Sequence, residues 1–521
     1  MLERLTNTDE IKSAARRINE LIEAHAEWFY VAGEGGASLA VRRSEIDLTV
    51  SHDRLIFSCW TERGTRSWHV RAWEWTGAKL LLEATRRAGA ERALIELIPR
   101  VSTRVINDNV SAARRLRAAQ LARIVCDASA AGTTIERVAL SAGSRRNQPG
   151  RAARILLVRP HRERICVTGV VTPDEAYDVD AFLSSALVWF MRAAERTTST
   201  PIRKLWLITD RKHLEALTAN VALLRDELRR VISVYEIDDE WRELKSVRCP
   251  ELSELWASER RERFRRPSQS AQSEWAARLI SLAPDAIDLV RARHGETLRF
   301  QGLPFARVRR VMNVERVWFG VAGAPLRLLD ESNASDLDDL LRQLREHRRA
   351  EALDRRHAFY RAAPEAWLES MLRRDITRLD PGLRLAPLYA QFRASQRNSA
   401  GALSRPVDLL ALRHDGRLVV IELKVREDRE HVLQAADYWR RVEAHRRWGN
   451  LKGARLFGNA EIADSPPLVY LVAPTLSFHR TFKTLARAIT PAIELYRFDL
   501  NEDWRAGVRV TRRETLTPRG C

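Results

Sequence analysis

Cysteine is scarce in this chain, and its spacing is typical of neither a metal site nor a disulfide framework. The chain has 521 residues and five cysteines, which are Cys59, Cys126, Cys166, Cys249 and Cys521. None belongs to a C-x-x-C pair. Zinc sites usually contain such pairs, and secreted disulfide scaffolds have a far higher cysteine density. The scarcity predicts a protein of the reducing cytoplasm without a structural zinc ion.

Long hydrophobic runs are also missing. No apolar stretch approaches the roughly 18 residues of a membrane-spanning helix. The N-terminal segment MLERLTNTDEIKSAARRINELIEA predicts a charged amphipathic helix and lacks the apolar core of a signal peptide. There is no G-x-x-x-x-G-K-[ST] motif, so no ATP-binding loop is predicted. These absences favour a soluble protein with no membrane partner.

Acidic residues are too few to balance the basic ones. The 88 Lys and Arg residues against 69 Asp and Glu residues give a formal charge of +19. An excess of this size favours an acidic polymer such as DNA as the partner, bound with release of counterions. The alternative is a solvated arginine-rich surface that reflects biased base composition.

The segment RPVDLLALRHDGRLVVIELKV, at 405–425, carries the most informative pattern. Two β-branched, apolar stretches flank a His-Asp-Gly turn, which predicts a β-hairpin. With Gly416 free to adopt a positive φ, positions symmetric about the middle of the turn face each other, so Asp408 lies opposite Glu422. Strand side chains alternate, so Lys424 projects from the same face as Glu422. The pattern predicts that the three charged side chains converge.

Two carboxylates and a lysine on one face are typical of a divalent-metal site that hydrolyses phosphodiesters. Hard cations prefer carboxylate and carbonyl oxygens, and Mg²⁺ keeps several waters, one of which can be the nucleophile. A lysine beside that water adds electrostatic stabilisation. The alternative is a buried hairpin with a stray charge pair, because such patterns also arise by chance. Burying two unpartnered charges would cost on the order of several kcal/mol, which favours the metal.

Helices on both sides of the hairpin supply further candidates. Downstream, HVLQAADYWRRVEAH places Gln434 and Tyr438 four residues apart on one helical face. Upstream, APEAWLESMLRRDI predicts a helix with Pro364 in its first turn and with Glu365 and Glu369 on a shared face. The helix dipole alone can explain an acid at Glu365.

A helical Glu, then P-V-D, then E-L-K, then Q-x-x-x-Y resembles the PD-(D/E)xK nuclease superfamily and its RecB-like branch, over roughly residues 360–500. The resemblance implies an α/β fold of the restriction-endonuclease-like type, with a mixed sheet flanked by helices. It also implies that Asp408 and Glu422 bind Mg²⁺. The Leu423 carbonyl and the carboxylate of Glu369 would complete the ligand set.

The resemblance implies roles for the other candidates as well. Lys424 would orient or activate the attacking water, and Gln434 and Tyr438 would line the substrate side. Glu365 is the alternative to Glu369 as the helical acid. Mn²⁺ is expected to substitute for Mg²⁺. Iron–sulfur members of the branch need a set of cysteines, so no cluster is expected here.

An internal repeat extends the interpretation. RILLVRPHRERICVTGVV, at 154–171, aligns without gaps onto DLLALRHDGRLVVIELKV, at 408–425, and both continue as helix, strand, helix, strand. Arg154, Thr168 and Val170 replace the Asp, Glu and Lys, so this copy cannot hold a cation there. We interpret it as a degenerate nuclease-like copy that serves packing or grips nucleic acid, with chance similarity as the alternative.

The repeat also extends to individual positions. Tyr-x-x-Asp patterns at 235–238 and 496–499 match each other near the end of each copy. At the position of Gln434 the first copy has Asp180.

These patterns divide the chain, at roughly 100 to 200 residues per domain, into segments of different character. We expect a small β-rich module with an N-terminal helix at 1–105, a degenerate nuclease-like α/β domain at 106–240, a basic helix and linker at 241–274, a small α+β module at 275–358 and the PD-(D/E)xK domain at 359–521.

Three local patterns in these modules give further predictions. Two of them, a group of tryptophans and a group of arginines, each have two interpretations, and the third predicts a helix. Four tryptophans of the first module suit either base stacking or, more commonly, packing; they are Trp60, Trp68, Trp73 and Trp75. Arginines of the basic helix suit either a phosphate backbone or solvent; they are Arg260, Arg261, Arg263, Arg265 and Arg266. In the α+β module, SDLDDLLRQLREHRRAEALDRRH predicts a helix over 335–357.

Taken together, the residues and the resemblance predict an Mg²⁺-dependent DNA nuclease whose C-terminal domain hydrolyses phosphodiester bonds. Two alternatives stay open. One is a nuclease that acts on RNA or on branched DNA. The other is a largely non-catalytic nucleic-acid-binding protein.

Overall fold

Two compact units, Met1–Ala113 and Arg114–Cys521, make up the computed structural model of the chain. The structure describes residues 2–32, 39–61, 64–77, 79–86, 89–100, 103–142, 149–160, 163–172, 177–196, 201–238, 240–256, 272–292, 295–311, 314–321, 326–386, 389–392 and 407–517. The arginines expected on the basic helix, Arg260 to Arg266, lie outside the described residues. Within these ranges no helix has both the length and the apolar composition that crossing a membrane requires.

In its described residues the first unit contains an antiparallel sheet with the N-terminal helix packed against it. Its elements are β1 Glu3–Arg4, α1 Thr8–Glu23, β2 Glu27–Ala32, β3 Leu39–Arg42, β4 Ile46–Ser51, β5 Arg54–Thr61, β6 Gly64–Trp75, β7 Leu80–Arg86 and β8 Glu91–Pro99. The strand order is β3-β2-β8-β7-β6-β5-β4, with β1 paired to β6. Trp68 and Trp73 are buried in its core, so packing is confirmed for these two, whereas Trp60 is exposed.

The first sheet of the second unit has six strands. Helix α2 Thr103–Asp127 contains both the predicted boundary at 105 and the division between the two units. The following elements are β9 Thr134–Ala142, β10 Pro149–Val158, β11 Arg164–Val170, α3 Val179–Arg196, β12 Ile202–Thr209, α4 Arg211–Val221, α5 Asp226–Arg229, β13 Ile232–Ile237 and β14 Leu244–Val247. They pair in the order β9-β10-β11-β12-β13-β14.

A five-stranded antiparallel sheet follows. Its module contains α6 Glu274–Leu282, β15 Ile287–Ala292, β16 Gly295–Phe300, β17 Leu303–Val311, β18 Val314–Phe319, β19 Arg327–Leu328, α7 Ala334–His347 and α8 Ala358–Arg361. The prediction of one helix over 335–357 is wrong, because α7 ends at His347. At Arg348 the backbone leaves the helix, and the buried guanidinium donates to the carbonyls of Phe300 and Gln301 at 3.0 and 3.1 Å. Those bonds fix the chain away from the helix axis.

The C-terminal region contains the predicted hairpin in a second six-stranded sheet. Its elements are α9 Pro364–Arg374, β20 Tyr389–Phe392, β21 Val407–Leu412, β22 Leu418–Leu423, α10 His431–Arg447, α11 Asn450–Gly453, β23 Leu468–Pro474, α12 Phe482–Ala488, β24 Leu495–Leu500 and β25 Val510–Thr515. The order is β20-β21-β22-β23-β24-β25, with β22, β23 and β24 parallel and the outer pairs antiparallel.

Both six-stranded sheets have the same strand order and the same strand directions. In the first sheet β11, β12 and β13 are parallel, and the outer pairs are antiparallel. Arg154 pairs with Thr168 in the first hairpin, and Leu409 pairs with Ile421 in the second, so the two registers agree across the 254-residue offset of the repeat. The two segments of the predicted repeat therefore form sheets of the same topology.

One predicted detail of the repeat, the alignment of its two Tyr-x-x-Asp patterns, is wrong. Hydrogen-bonded partners across each sheet make Trp206 and Tyr470 equivalent. Trp206 pairs with Ser233, whereas Tyr470 pairs with Tyr496, so Ser233 is the counterpart of Tyr496. The predicted match of the two Tyr-x-x-Asp patterns is off by two residues. A shift of two keeps every side chain on its face of the strand, so the misalignment leaves the alternation intact.

The two sheets pack together through helices on one face of each. One hydrophobic core contains Leu183 and Leu187 of α3, Leu433 and Trp439 of α10 and Phe482 of α12. All five side chains are buried. The cluster also contains strand residues of both sheets, so the two copies share one continuous apolar core.

A backbone bridge joins the two copies at equivalent places. The segment after α4 pairs antiparallel with the segment after α12, at Leu224 and Ile489. Arg225 N donates to the Ala488 carbonyl, and Thr490 N donates to the Leu223 carbonyl, each at 2.9 Å. Both helices connect the second and third parallel strands of their sheets. The contact therefore resembles an isologous dimer interface built within one chain.

Truncation of a side chain in this shared core should destabilise the whole second unit. We expect Leu433→Ala to lower the free energy of unfolding by about 2 to 5 kcal/mol, because it leaves a cavity among buried residues. Leu353→Ala is the control, since Leu353 is 99% exposed. Denaturant unfolding of both variants measures the difference. Equal stability of the two variants would contradict a shared core.

Candidate active site

The hairpin places Asp408 and Glu422 next to each other at the end of the turn-connected strands. The pairs Leu409 with Ile421 and Leu412 with Leu418 follow the predicted register. Gly416 has a φ of 82°, as the turn requires. All six residues of β22 are buried, and this strand lies between antiparallel β21 and parallel β23. Glu422 is therefore held in the interior of the sheet.

Hydrogen bonds connect the predicted site residues on the strands. Leu423 N donates to Asp408 Oδ2 at 2.9 Å. Lys424 Nζ donates to Glu422 Oε1 at 2.6 Å. Glu422 Oε2 is buried and has no hydrogen-bond partner. One carboxylate oxygen in the interior is thus left unsatisfied, which is costly for a charged group.

The helix α10 continues the same network. Lys424 Nζ also donates to Gln434 Oε1 at 3.0 Å, and Gln434 Nε2 donates to Tyr438 Oη at 2.8 Å. Gln434 and Tyr438 are both buried on α10. The structure therefore brings Asp408, Glu422, Lys424 and the two helical residues into one connected set.

Burial and mutual repulsion determine the charge of the carboxylate pair. Burial raises the pKa of Asp408 to about 6, against the opposing effects of Lys424 and the Leu423 amide. Burial and the neighbouring Asp408 raise the pKa of Glu422 well above its usual range. Burial alone would lower the pKa of Lys424, but Glu422 and Asp408 outweigh it, so the pKa of Lys424 is raised. Lys424 therefore offsets only part of the burial and repulsion that raise the pKa values of the two carboxyl groups.

These features fit a divalent cation. The pair offers hard oxygen donors, an unsatisfied oxygen on Glu422 and two carboxylates that repel each other when both are ionised. In the described part of the chain, no group of three His, Cys, Asp or Glu side chains is arranged as a metal cluster. Asp408 and Glu422 would supply two side-chain donors to a cation here. Two carboxylates are a common protein contribution to a Mg²⁺ site, where waters fill the other positions.

Glu369, the predicted helical acid, has an ion-pair partner in the five-stranded module. It is buried on α9, and its Oε1 lies 3.0 Å from Arg299 Nη2. Arg299 also bonds Asp288 at 2.7 Å. The negative charge of Glu369 contributes to the raised pKa of Asp408, so Glu369 is close to the site. Glu365, the alternative, is partly exposed and instead acts on the pKa of Arg505.

Two contributors were missed by sequence reasoning. Arg299 is one of 88 basic residues, and no local pattern distinguishes it. His431, the first residue of α10, is buried with Nε2 at 3.2 Å from the Glu422 carbonyl oxygen. Burial and the nearby Lys424 lower its pKa to about 3, so His431 stays neutral. Nothing in the spacing of His431 indicated this contact.

The first copy has a different set of side chains at the same places. Arg154 lies opposite Thr168, and the Thr168 hydroxyl is buried without a hydrogen-bond partner. Asp180, at the position of Gln434, accepts from Asn220 Nδ2 at 2.7 Å. No carboxylate replaces Asp408 or Glu422 in this hairpin, so it offers a cation no pair of acids.

Comparison with known proteins gives little further information. No family model and no curated protein match this chain. The structure of EndoMS in apo form is 9% identical with a TM-score of 0.13, and the match covers 40% of this chain and 88% of that chain. The EndoMS–dsDNA2 complex is 10% identical with a TM-score of 0.15, covering 40% and 87%. Similarity at this level supports no statement about activity.

Substitutions of Arg299 and of Glu369 should have non-additive effects on the free energy of unfolding. Both side chains are nearly inaccessible, so Arg299→Met removes a buried counter-charge from Glu369. We expect a loss of about 3 to 5 kcal/mol in the free energy of unfolding. Adding Glu369→Gln should recover part of that loss, because the buried negative charge is then removed together with its counter-charge. Additive effects of the two substitutions in denaturant unfolding would show that the pair does not interact.

Proposed function

We propose that this chain is a Mg²⁺-dependent nuclease of the PD-(D/E)xK type that hydrolyses phosphodiester bonds of DNA at its C-terminal site. The observation that carries the proposal is the unsatisfied, buried Glu422 carboxylate beside Asp408. The sequence resemblance, the hairpin register and the formal charge of +19 support the same function.

Asp408 and Glu422 would hold the cation, with the Leu423 carbonyl and Glu369 as further candidate ligands. A bound Mg²⁺ supplies an activated water and neutralises charge that develops on the phosphate. Lys424 keeps a protonated ammonium beside the carboxylates, where it stabilises negative charge in a site of low dielectric. Mn²⁺ should substitute for Mg²⁺.

Gln434 and Tyr438 act on the lysine. Gln434 accepts from Lys424 and donates to Tyr438, so the helix fixes the direction of the ammonium group. A lysine side chain has four rotatable carbon–carbon bonds, and this arrangement removes much of that freedom before substrate binds. Buried His431, kept neutral, holds the backbone at Glu422 without adding charge.

Substitution of the carboxylates tests the proposal directly. We expect Asp408→Ala and Glu422→Ala to abolish Mg²⁺-dependent cleavage, and Lys424→Ala to reduce kcat by about 10² to 10³. Asp415→Ala is the matched control, because Asp415 is an exposed carboxylate in the turn of the same hairpin. Cleavage of labelled single-stranded, duplex and forked DNA and of RNA is the measurement.

The substrate panel distinguishes the alternatives. Preference for RNA or forked DNA would replace duplex DNA as the substrate while keeping the site. Wild-type activity in Asp408→Ala would place the chemistry elsewhere. Binding of DNA without cleavage by the wild-type protein, with Mg²⁺ or Mn²⁺, would favour a non-catalytic nucleic-acid-binding protein.

A further inference from the structure

Arginines from both six-stranded copies act on one another electrostatically near the place where the copies pack together. Arg154 lies on β10 at the position of Asp408 in the other copy, and Arg192 lies on α3. Arg429 comes from the segment between Lys424 and α10. The copies contact each other here through α3, α10 and α12. We name Arg154, Arg192 and Arg429 the seam arginines.

Arg154 is held in place but is not neutralised. Its Nη2 donates to Ser185 Oγ at 2.8 Å, and its guanidinium carbon lies 5.7 Å from the centre of the Trp189 ring. Its Nε is buried and has no hydrogen-bond partner. A serine hydroxyl and an aromatic face orient the guanidinium group, yet they leave its charge and one N–H donor unsatisfied.

Arg429 also has a buried N–H donor that is left unsatisfied. Its Nε is also buried without a hydrogen-bond partner. Among the residues that the structure describes, no carboxylate forms an ion pair with any of the seam arginines, whereas buried Arg299 is paired with both Asp288 and Glu369. Arg154 and Arg429 are partly buried, whereas Arg192 is exposed. Partly buried guanidinium groups without counter-charges are unusual, because burial penalises their charge.

The charged groups that act on Arg154 and His479 are mostly positive. Burial, then Arg429 and Arg192, lower the pKa of Arg154. Burial, then Arg429, lower the pKa of nearby His479, with Arg192 acting in the same direction and Glu427 opposing it. Glu427 is itself exposed to solvent. The seam is therefore a region where an anion would relieve repulsion between positive groups from two copies.

We propose that the seam arginines bind a backbone phosphate of DNA, so that the degenerate copy contributes an anchor for the substrate. This inference rests on the proposed nuclease function. The unsatisfied Nε–H groups suit phosphate oxygens, which accept charge-assisted hydrogen bonds from guanidinium groups. Arg429 follows Lys424 by five positions. The backbone at Arg429 therefore lies no more than roughly 18 Å from that of Lys424, and an anchor there would position a strand without contacting the reacting bond.

Binding measured without metal separates this anchor from cleavage. The variants are Arg154→Met and Arg429→Met in the full chain, and the control is Arg203→Met, an exposed arginine of the same first sheet. We expect each seam variant to bind a fluorescent DNA duplex about tenfold more weakly in EDTA, with the log–log salt slope reduced by about one. The control should bind within about twofold of wild type.

Thermal unfolding of each variant shows whether weaker DNA binding is caused by loss of the fold. Arg429 precedes α10 outside any helix or strand, so Arg429→Met should keep the wild-type midpoint even if Arg154→Met does not. A folded Arg429→Met protein with wild-type affinity and salt slope would overturn the anchor. If the variants bound RNA more weakly but bound the DNA duplex as wild type does, that result would also overturn the anchor.

The two proposals fail in different ways. Unchanged DNA binding in the seam variants together with metal-dependent cleavage by wild type would remove the anchor and leave the nuclease. Weakened binding in the seam variants with no cleavage by wild type would leave the anchor and remove the nuclease. Absence of DNA binding by the wild-type chain would overturn both.

Discussion

The burial of Glu422 beside Asp408 is the constraint on which the rest of the C-terminal region depends. Two carboxylates in the interior repel each other and lose their hydration, and one ammonium group cannot compensate for both. A sheet that only needed to fold would be more stable with apolar residues at these positions. Lys424, Gln434 and Tyr438 form a buried polar network around the pair, which holds a strained charge arrangement in a defined geometry.

The same scaffold occurs twice with opposite local charge. Asp408 in one hairpin aligns with Arg154 in the other, and the two positions are 254 residues apart in the chain. The sheets keep the same topology because it depends on apolar strands and on connecting helices, which both copies retain. The residues at the aligned charged positions differ, while the strand order is the same in both sheets. Their divergence leaves a carboxylate pair at one hairpin and an arginine at the aligned position of the other.

Much of this arrangement could be predicted from local sequence. The hairpin followed from apolar strands and the turn at Gly416, and the convergence of Asp408, Glu422 and Lys424 followed from side-chain alternation. Gln434 and Tyr438 followed from four-residue spacing on a helix. Each of these inferences depends on regular backbone geometry within a few residues of sequence.

The missed features depend on contacts between distant segments. Arg299 reaches Glu369 from another sheet, and the link between Leu224 and Ile489 joins two copies far apart in the chain. The Tyr-x-x-Asp alignment failed because short identical letters do not determine a strand register, which depends on pairing across the sheet. The end of α7 was misplaced because Arg348 bonds to carbonyls of a strand remote in sequence. Such contacts have no local signature.

Calorimetric titration of the full-length protein with Mn²⁺ is the most direct test of the carboxylate pair as a metal site. We expect wild type to bind Mn²⁺, Asp408→Asn and Glu422→Gln to lose that binding, and Asp415→Asn in the same hairpin to retain it. Because the first copy has no acid pair at its hairpin, the two site variants should show no residual Mn²⁺ binding of comparable affinity. Wild-type Mn²⁺ affinity in Glu422→Gln, or no Mn²⁺ binding by the wild-type protein, would contradict a metal site at this hairpin.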